Sequence, residues 1–162
     1  GRIGFGLTDD GAAEVRSNLV AAKNSLPELS RIYSSDFLRT RQTAALAAEI
    51  LGVSLELSPP LRERGFGEFE GRSSDHYHQV REQDAVDASH MQWSVESVRS
   101  VATRMIALVQ EIDHSDTGKT FLLVSHGDPL QILITAAQGD DLRLHRRLAP
   151  LATGEIRQLT AA

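Results

Sequence analysis

An α/β three-layer sandwich, with a mostly parallel central sheet and helices on both faces, is the fold this sequence predicts. Three observations carry the prediction. Short apolar runs of strand type alternate with longer amphipathic stretches of helix type, the order that gives parallel strands joined by crossover helices. The 162 residues suit one domain over the whole chain and leave little room for two. The chemically suggestive segments fall at the ends of predicted strands or in the loops after them, where open α/β sheets bind ligands.

The first helix is expected from about 9 to 25. Ala12, Val15, Leu19, Ala22 and Leu26 recur at spacings of three and four. Thr8 can cap the start, Asp9 and Asp10 suit the first turn, and Pro27 lies beyond the end. Ile32-Tyr33-Ser34 is a short β-prone run. A second helix, about 37 to 50, places Leu38, Ala45, Leu46 and Ile50 on one face, and Gly52 is its natural stop. Val53 to Leu57 alternates apolar and polar residues before Pro59-Pro60 ends the strand. The stretch from Leu61 to Trp93 is glycine-rich, charged and irregular, with one short helix expected near 74 to 83. Val98, Val101, Met105, Leu108, Val109 and Ile112 give the cleanest helical period in the chain. Thr120 to Ser125 reads as a buried strand, and Leu130, Leu133, Ile134 and Ala137 as a further helix. Gly154 to Thr160 is expected to form a last strand.

Composition narrows the function classes. Hydrophobic residues make up 41% and charged residues 24%, ordinary for a globular protein. Lys and Arg total 17 against 22 Asp and Glu, a formal net charge of -5, which disfavours a nucleic-acid partner. The longest apolar run, Phe121-Leu122-Leu123-Val124, is far too short to span a bilayer, so no membrane partner is expected. The absence of cysteine excludes disulfides, thiolate metal sites and a thiol nucleophile. No signal peptide is visible, and a cytoplasmic location is the expectation.

Several motifs fail on spacing. Gly118-Lys119-Thr120 would need a glycine where Asp113 stands, and it enters a strand where a P-loop enters a helix. Gly65-Phe66-Gly67 lacks the third glycine of a dinucleotide loop, because Glu70 occupies that place. His76 and His78 are two apart, so on a helix they face different ways. With His90, His114 and His145 they read as surface histidines, and neither a metal nor another cofactor is expected.

Three constellations remain. The first, Ser34-Ser35-Asp36-Phe37-Leu38-Arg39-Thr40-Arg41-Gln42-Thr43-Ala44, puts Arg39 in the first turn of a helix at the sheet edge. A guanidinium there can grip a phosphate with two parallel N–H bonds, though on this segment alone a solvated helix arginine is the simpler reading. In the second, Leu61-Arg62-Glu63-Arg64-Gly65-Phe66-Gly67-Glu68-Phe69-Glu70-Gly71, glycines and aromatics shape a partly dry loop around a carboxylate. A carboxyl so placed can stay protonated near neutral pH and donate its proton, and the alternative is an acidic surface turn. The third, Phe121 to Pro129, delivers His126 straight from a buried strand to Gly127 and a proline-started helix, an anion-binding geometry.

In this order and spacing, Leu7-Thr8-x-x-Gly11, Ser34-Ser35-Asp36-x-Leu38-Arg39-x-x-Gln42-Thr43-Ala44, Leu61-x-Glu63-x-x-x-Gly67-x-x-x-Gly71 and Ser125-His126-Gly127 together resemble the histidine phosphatase superfamily, the phosphoglycerate mutase-like proteins. The resemblance runs from Leu7 to about Leu133. It implies a phosphoglycerate mutase-like fold, and a mechanism in which a histidine attacks a phosphomonoester and becomes phosphohistidine. By the same resemblance Arg39 is the phosphate clamp and Glu63 the acid that protonates the departing alkoxide. His126 is the second histidine, holding the equatorial oxygens, with Arg64 and Gly127 as further phosphate-binding candidates.

The sequence departs from the family at one place. The family's nucleophile sits in an Arg-His-Gly motif at the end of its first strand, ahead of the region matching Gly1-Arg2, and this sequence contains no Arg-His-Gly. The expectation is that strand and nucleophile lie upstream of residue 1. The resemblance places that strand inside the sheet, beside the one leading to His126. Any ordered structure is therefore expected to fill the slot with upstream residues, with another copy of the chain or with Gly154 to Thr160. Sixty-two residues separate Glu63 from His126, fewer than the insertion of cofactor-dependent mutases. A phosphomonoester hydrolase acting on a small phosphorylated metabolite is the leading reading. A phosphoglycerate mutase-type phosphotransferase and a catalytically dead phosphate-binding or regulatory module are the alternatives, with homodimer formation left open. Residues 66–95 are the expected substrate lid. Phe66, Phe69, Tyr77 and Trp93 either contact an organic group or close the lid's own core.

Overall fold

The computed structural model describes residues 4–159, with backbone alone at 74 and 75. Its centre is a three-stranded parallel sheet in the order β2-β1-β3, built from β1 (Leu29–Ser34), β2 (Leu55–Leu57) and β3 (Thr120–Val124). In register, Ile32 lies opposite Leu55 on one side and Leu122 on the other. Alternation along β1 divides the core: Ile32 faces α1 (Asp9–Ala22) and α2 (Leu38–Leu51), while Tyr33 faces α4 (Val98–Ser115) and α5 (Gly127–Ala137). Val15, Leu19, Ala44 and Ala47 close the first layer, and Val101, Met105, Ile132 and Leu133 the second. Helices on both faces of a parallel sheet make the predicted sandwich.

The predicted elements form, with shifted ends. Thr8 caps α1 by accepting the Gly11 N–H at 3.0 Å, but the helix closes at Ala22 rather than near 25. Gly52 ends α2 with φ +70, a conformation that disfavours any residue with a Cβ. The short middle helix, α3, runs His78–Val86, later than expected, after a 3-10 turn over 74–77. β1 begins three residues before the β-prone run, and β2 is confined to Leu55–Leu57.

The predicted last strand does not form. Residues 155–159 are irregular, and Thr160 lies outside the described residues. Local bonds hold this tail instead: Arg157 donates to the carbonyls of Ala149 and Pro150, and Glu155 accepts the Ala152 N–H at 2.7 Å. Consequently β3 is an edge strand among the described residues, and the slot expected to be filled is a groove of about 1260 Å³. Leu19, Ile112, Phe121, Leu123, Leu133 and Ile156 are among its walls.

Residues 66–95 enclose a satellite core of Phe66, Phe69, Val80 and Val95 beneath Tyr77 and Trp93. Phe66 stacks on Tyr77 with ring centroids 4.4 Å apart, and Phe69 meets Trp93 edge-on at 5.6 Å. These aromatics close the segment's own core. Gly67, at φ +51, is obligatory there, because a Cβ would lie 2.2 Å from the Trp93 carbonyl oxygen.

Candidate active site

Arg39, Glu63 and His126 meet at the carboxyl ends of β1 and β3. Arg39 projects from the first turn of α2, Glu63 from the loop after β2, and His126 from the residue before α5. An Arg39 Nη2 atom lies 2.7 Å from His126 Nδ1 and 3.6 Å from Glu63 Oε2, and Glu63 Oε2 lies 3.8 Å from His126 Nδ1. All three line the end of the groove along β3, as does Gly127, exposed at the N-terminus of α5.

The loop bearing Glu63 is braced from several sides. Arg62 forms a bidentate pair with Asp36 at 2.7 and 2.6 Å, tying the loop to the end of β1. Ser125 Oγ donates to the Leu61 carbonyl at 2.7 Å, linking it to the residue before His126. Arg104, on α4, donates to the Pro60 carbonyl and pairs with Glu96 at 2.8 Å. Sequence reasoning missed Arg104. Its only signal is a charge within the strongly apolar period of α4.

The site's electrostatics favour neutral forms of its acid and its histidine. Burial pushes the Glu63 carboxyl above its ordinary range, and the Asp128 carboxylate adds to this, against the Arg64 N–H and the Arg39 cation. Burial, reinforced by the Arg39 and Arg104 cations, lowers His126 to about 3. A guanidinium has no acceptor, so His126 Nδ1 must offer its lone pair to Arg39, which leaves the ring proton on Nε2. The Phe37 ring packs edge-on against the imidazole at 5.2 Å and lies 5.5 Å from the Arg39 guanidinium.

Arg64 departs from its expected role as a phosphate ligand. Its side chain is fully buried and forms a bidentate pair with Asp84 on α3 at 2.7 and 2.8 Å, while Nε donates to the Glu96 carbonyl. A buried guanidinium whose N–H groups are held by Asp84 and the Glu96 carbonyl is not free to reach a ligand in the groove. Two of the expected surface histidines are likewise buried. His90 Nε2 lies 2.8 Å from Asp84, and His145 Nε2 lies 3.2 Å from Asp128, so carboxylates draw both rings inward. His76, His78 and His114 are exposed as expected.

Among the described residues, no cluster of three or more His, Asp or Glu side chains is arranged to hold a metal ion, and no helix is long and apolar enough to cross a membrane. A sequence profile of the histidine phosphatase superfamily (branch 1) matches residues 1–161. The chain belongs to this superfamily. Its curated relatives include a probable phosphoglycerate mutase GpmB from Photorhabdus laumondii, 32% identical over 148 residues, 88% of this chain and 67% of the relative. The Yersinia pestis GpmB, also described as a probable phosphoglycerate mutase, is 30% identical over 88% of this chain and 70% of its own length. The chain thus spans about two thirds of the length of these superfamily relatives. Among solved structures, a mycobacterial glucosyl-3-phosphoglycerate phosphatase shares the fold, with a TM-score of 0.79, 24% identity, and coverage of 91% of this chain and 76% of that one. A structure described as mycobacterial hydrolase 1 gives the same TM-score at 22% identity, covering 91% of this chain and 74% of its own.

Proposed function

We propose that this domain is the larger part of a phosphomonoester hydrolase that acts through a phosphohistidine intermediate on a small phosphorylated metabolite. One observation carries the reading. Arg39, Glu63 and His126 come from three distant segments, yet they converge within 4 Å at the carboxyl edge of a parallel sheet, at the end of the groove beside β3. Arg39 clamps the phosphate, His126 holds an equatorial oxygen, and Glu63, its carboxyl pushed up by burial, gives its proton to the departing alkoxide. Splitting the displacement into two steps is ordinary nucleophilic catalysis.

The nucleophilic histidine is assigned to a strand upstream of residue 1 that pairs with the free edge of β3. The apolar walls of the groove and a β3 edge with no strand beside it among the described residues support this placement, because a parallel strand there would end beside His126. Residues 66–95 act as the substrate lid. A phosphoglycerate mutase-type transferase is the second reading, favoured by the description of the GpmB relatives. The test is a phosphomonoester panel assayed with the full-length protein, coupled to trapping of an acid-labile phosphoprotein. Release of inorganic phosphate supports the hydrolase, and transfer between phosphoglycerate positions supports the mutase. A full-length protein that binds phosphate but neither turns over nor becomes labelled is a binding module. Residues 1–162 alone are expected to show no turnover. Hydrolysis of nitrophenyl phosphate by that fragment, with His126 required, would refute the upstream nucleophile.

A further inference from the structure

We infer that Ser35 is a positioning residue that fixes the tautomer and ring orientation of His126. Its hydroxyl oxygen lies 2.9 Å from His126 Nε2. Arg39 already claims the lone pair of Nδ1, so the remaining ring nitrogen carries the proton and Ser35 Oγ accepts it. Ser35 is 0% exposed, and its backbone is held on three sides. Its N–H donates to the Val124 carbonyl at 2.9 Å, continuing the β1–β3 ladder. Its own carbonyl accepts from Ser34 Oγ at 2.9 Å and Thr40 Oγ1 at 3.1 Å. The acceptor is therefore a rigid point fixed to the strand that leads into His126.

With Nε2 anchored, Nδ1 faces the space between Arg39 and Glu63. When an anionic oxygen takes over Arg39, Nδ1 takes up a proton to donate to it, and Nε2–H stays on Ser35 without rotation of the ring. Ser34 provides an internal control. It is equally buried, but its hydroxyl donates to the Ser35 carbonyl, and no contact with His126 is among its bonds.

The inference rests on the phosphatase reading for its catalytic consequence, but its structural core is tested separately. In full-length protein labelled with 15N-histidine, long-range 1H–15N spectra near neutral pH should show an unprotonated Nδ1 and a protonated, exchange-protected Nε2 at His126. Ser35→Ala should abolish the exchange protection and shift both ring nitrogens, whereas Ser34→Ala, which removes only one bond to the Ser35 carbonyl, should keep the protection and shift them far less. In turnover, Ser35→Ala should lower kcat by about ten- to a hundredfold, with KM moving far less because Arg39 still clamps the phosphate. A protonated Nδ1 in the ligand-free wild type overturns the inference, as does an unchanged His126 signal in Ser35→Ala. If Ser35→Ala does not fold, the wild-type tautomer decides. A full-length protein without turnover on any phosphomonoester would refute the phosphatase reading and leave the tautomer result standing.

Discussion

Glu63 and Arg64 are neighbours in sequence and end in opposite surroundings. Glu63 faces the groove, where Arg39 and His126 lie within 4 Å. Arg64 turns inward to a buried cluster that joins the loop, α3, the start of α5 and the turn over 142–147 through Asp84, Asp128, His90, His145 and Arg146. Burial alone would raise the Asp128 carboxyl, yet the His145 hydrogen bond and the Arg146 and Arg64 cations hold it low, so it stays ionised. At Glu63 the same burial is opposed by less and prevails. One physical force, desolvation, thus leaves a carboxyl low where cationic partners surround it and raised where fewer oppose it.

The difference can be broken first from the structural side. Arg64→Met leaves Asp84 buried without its guanidinium partner and should cost about 3–5 kcal/mol, read from urea unfolding of the full-length protein. Arg39→Met should change the same unfolding free energy by no more than about 1 kcal/mol, because its side chain is 29% exposed. Equal losses would mean that the two clusters are not distinct.

On the catalytic side the ranking reverses. Arg39→Ala should lower kcat/KM for a phosphomonoester by about 10²–10³, since one preorganised charge donor to the phosphoryl group is lost. Glu63→Gln should show a leaving-group signature: a loss of about 10² on an alkyl phosphate and a much smaller loss on nitrophenyl phosphate, whose leaving group needs little protonation. The same loss on both substrates would remove Glu63 as the acid.

A last effect, one of pH, develops only on acidification. The folded state holds His126 at about 3 against an ordinary 6.5, so between these values the unfolded chain binds the extra proton. This histidine's contribution to stability is therefore present above about pH 6.5 and lost as pH falls toward 3. Urea midpoints measured across that range should fall more steeply for the wild type than for His126→Gln. Parallel slopes would show that the ring is not held neutral.

The sequence alone determined the alternation of elements, because period and capping are local: Thr8 at the start of α1, Gly52 at the end of α2 and the apolar stripe from Val98 to Ile112 act within a few residues. It also singled out Arg39, Glu63 and His126, through ordered motifs that mark strand ends. Which way neighbouring side chains turn was not legible. Arg64 looked like a ligand and His90 and His145 like surface residues, because their carboxylate partners lie 20, 6 and 17 residues away and meet them only after the chain has folded. Gly154 to Thr160 has the composition of a strand, but a strand exists only where a partner backbone takes its hydrogen bonds, and here the Glu155 and Arg157 side chains bind back to residues 149–152 instead. Ser35 shows the same limit: serine at that place is unremarkable until packing sets its oxygen 2.9 Å from a ring nitrogen that Arg39 obliges to donate. Local pattern chose the elements and the reactive residue types. Long-range partners decided which charges stay buried and paired, and which are left to act.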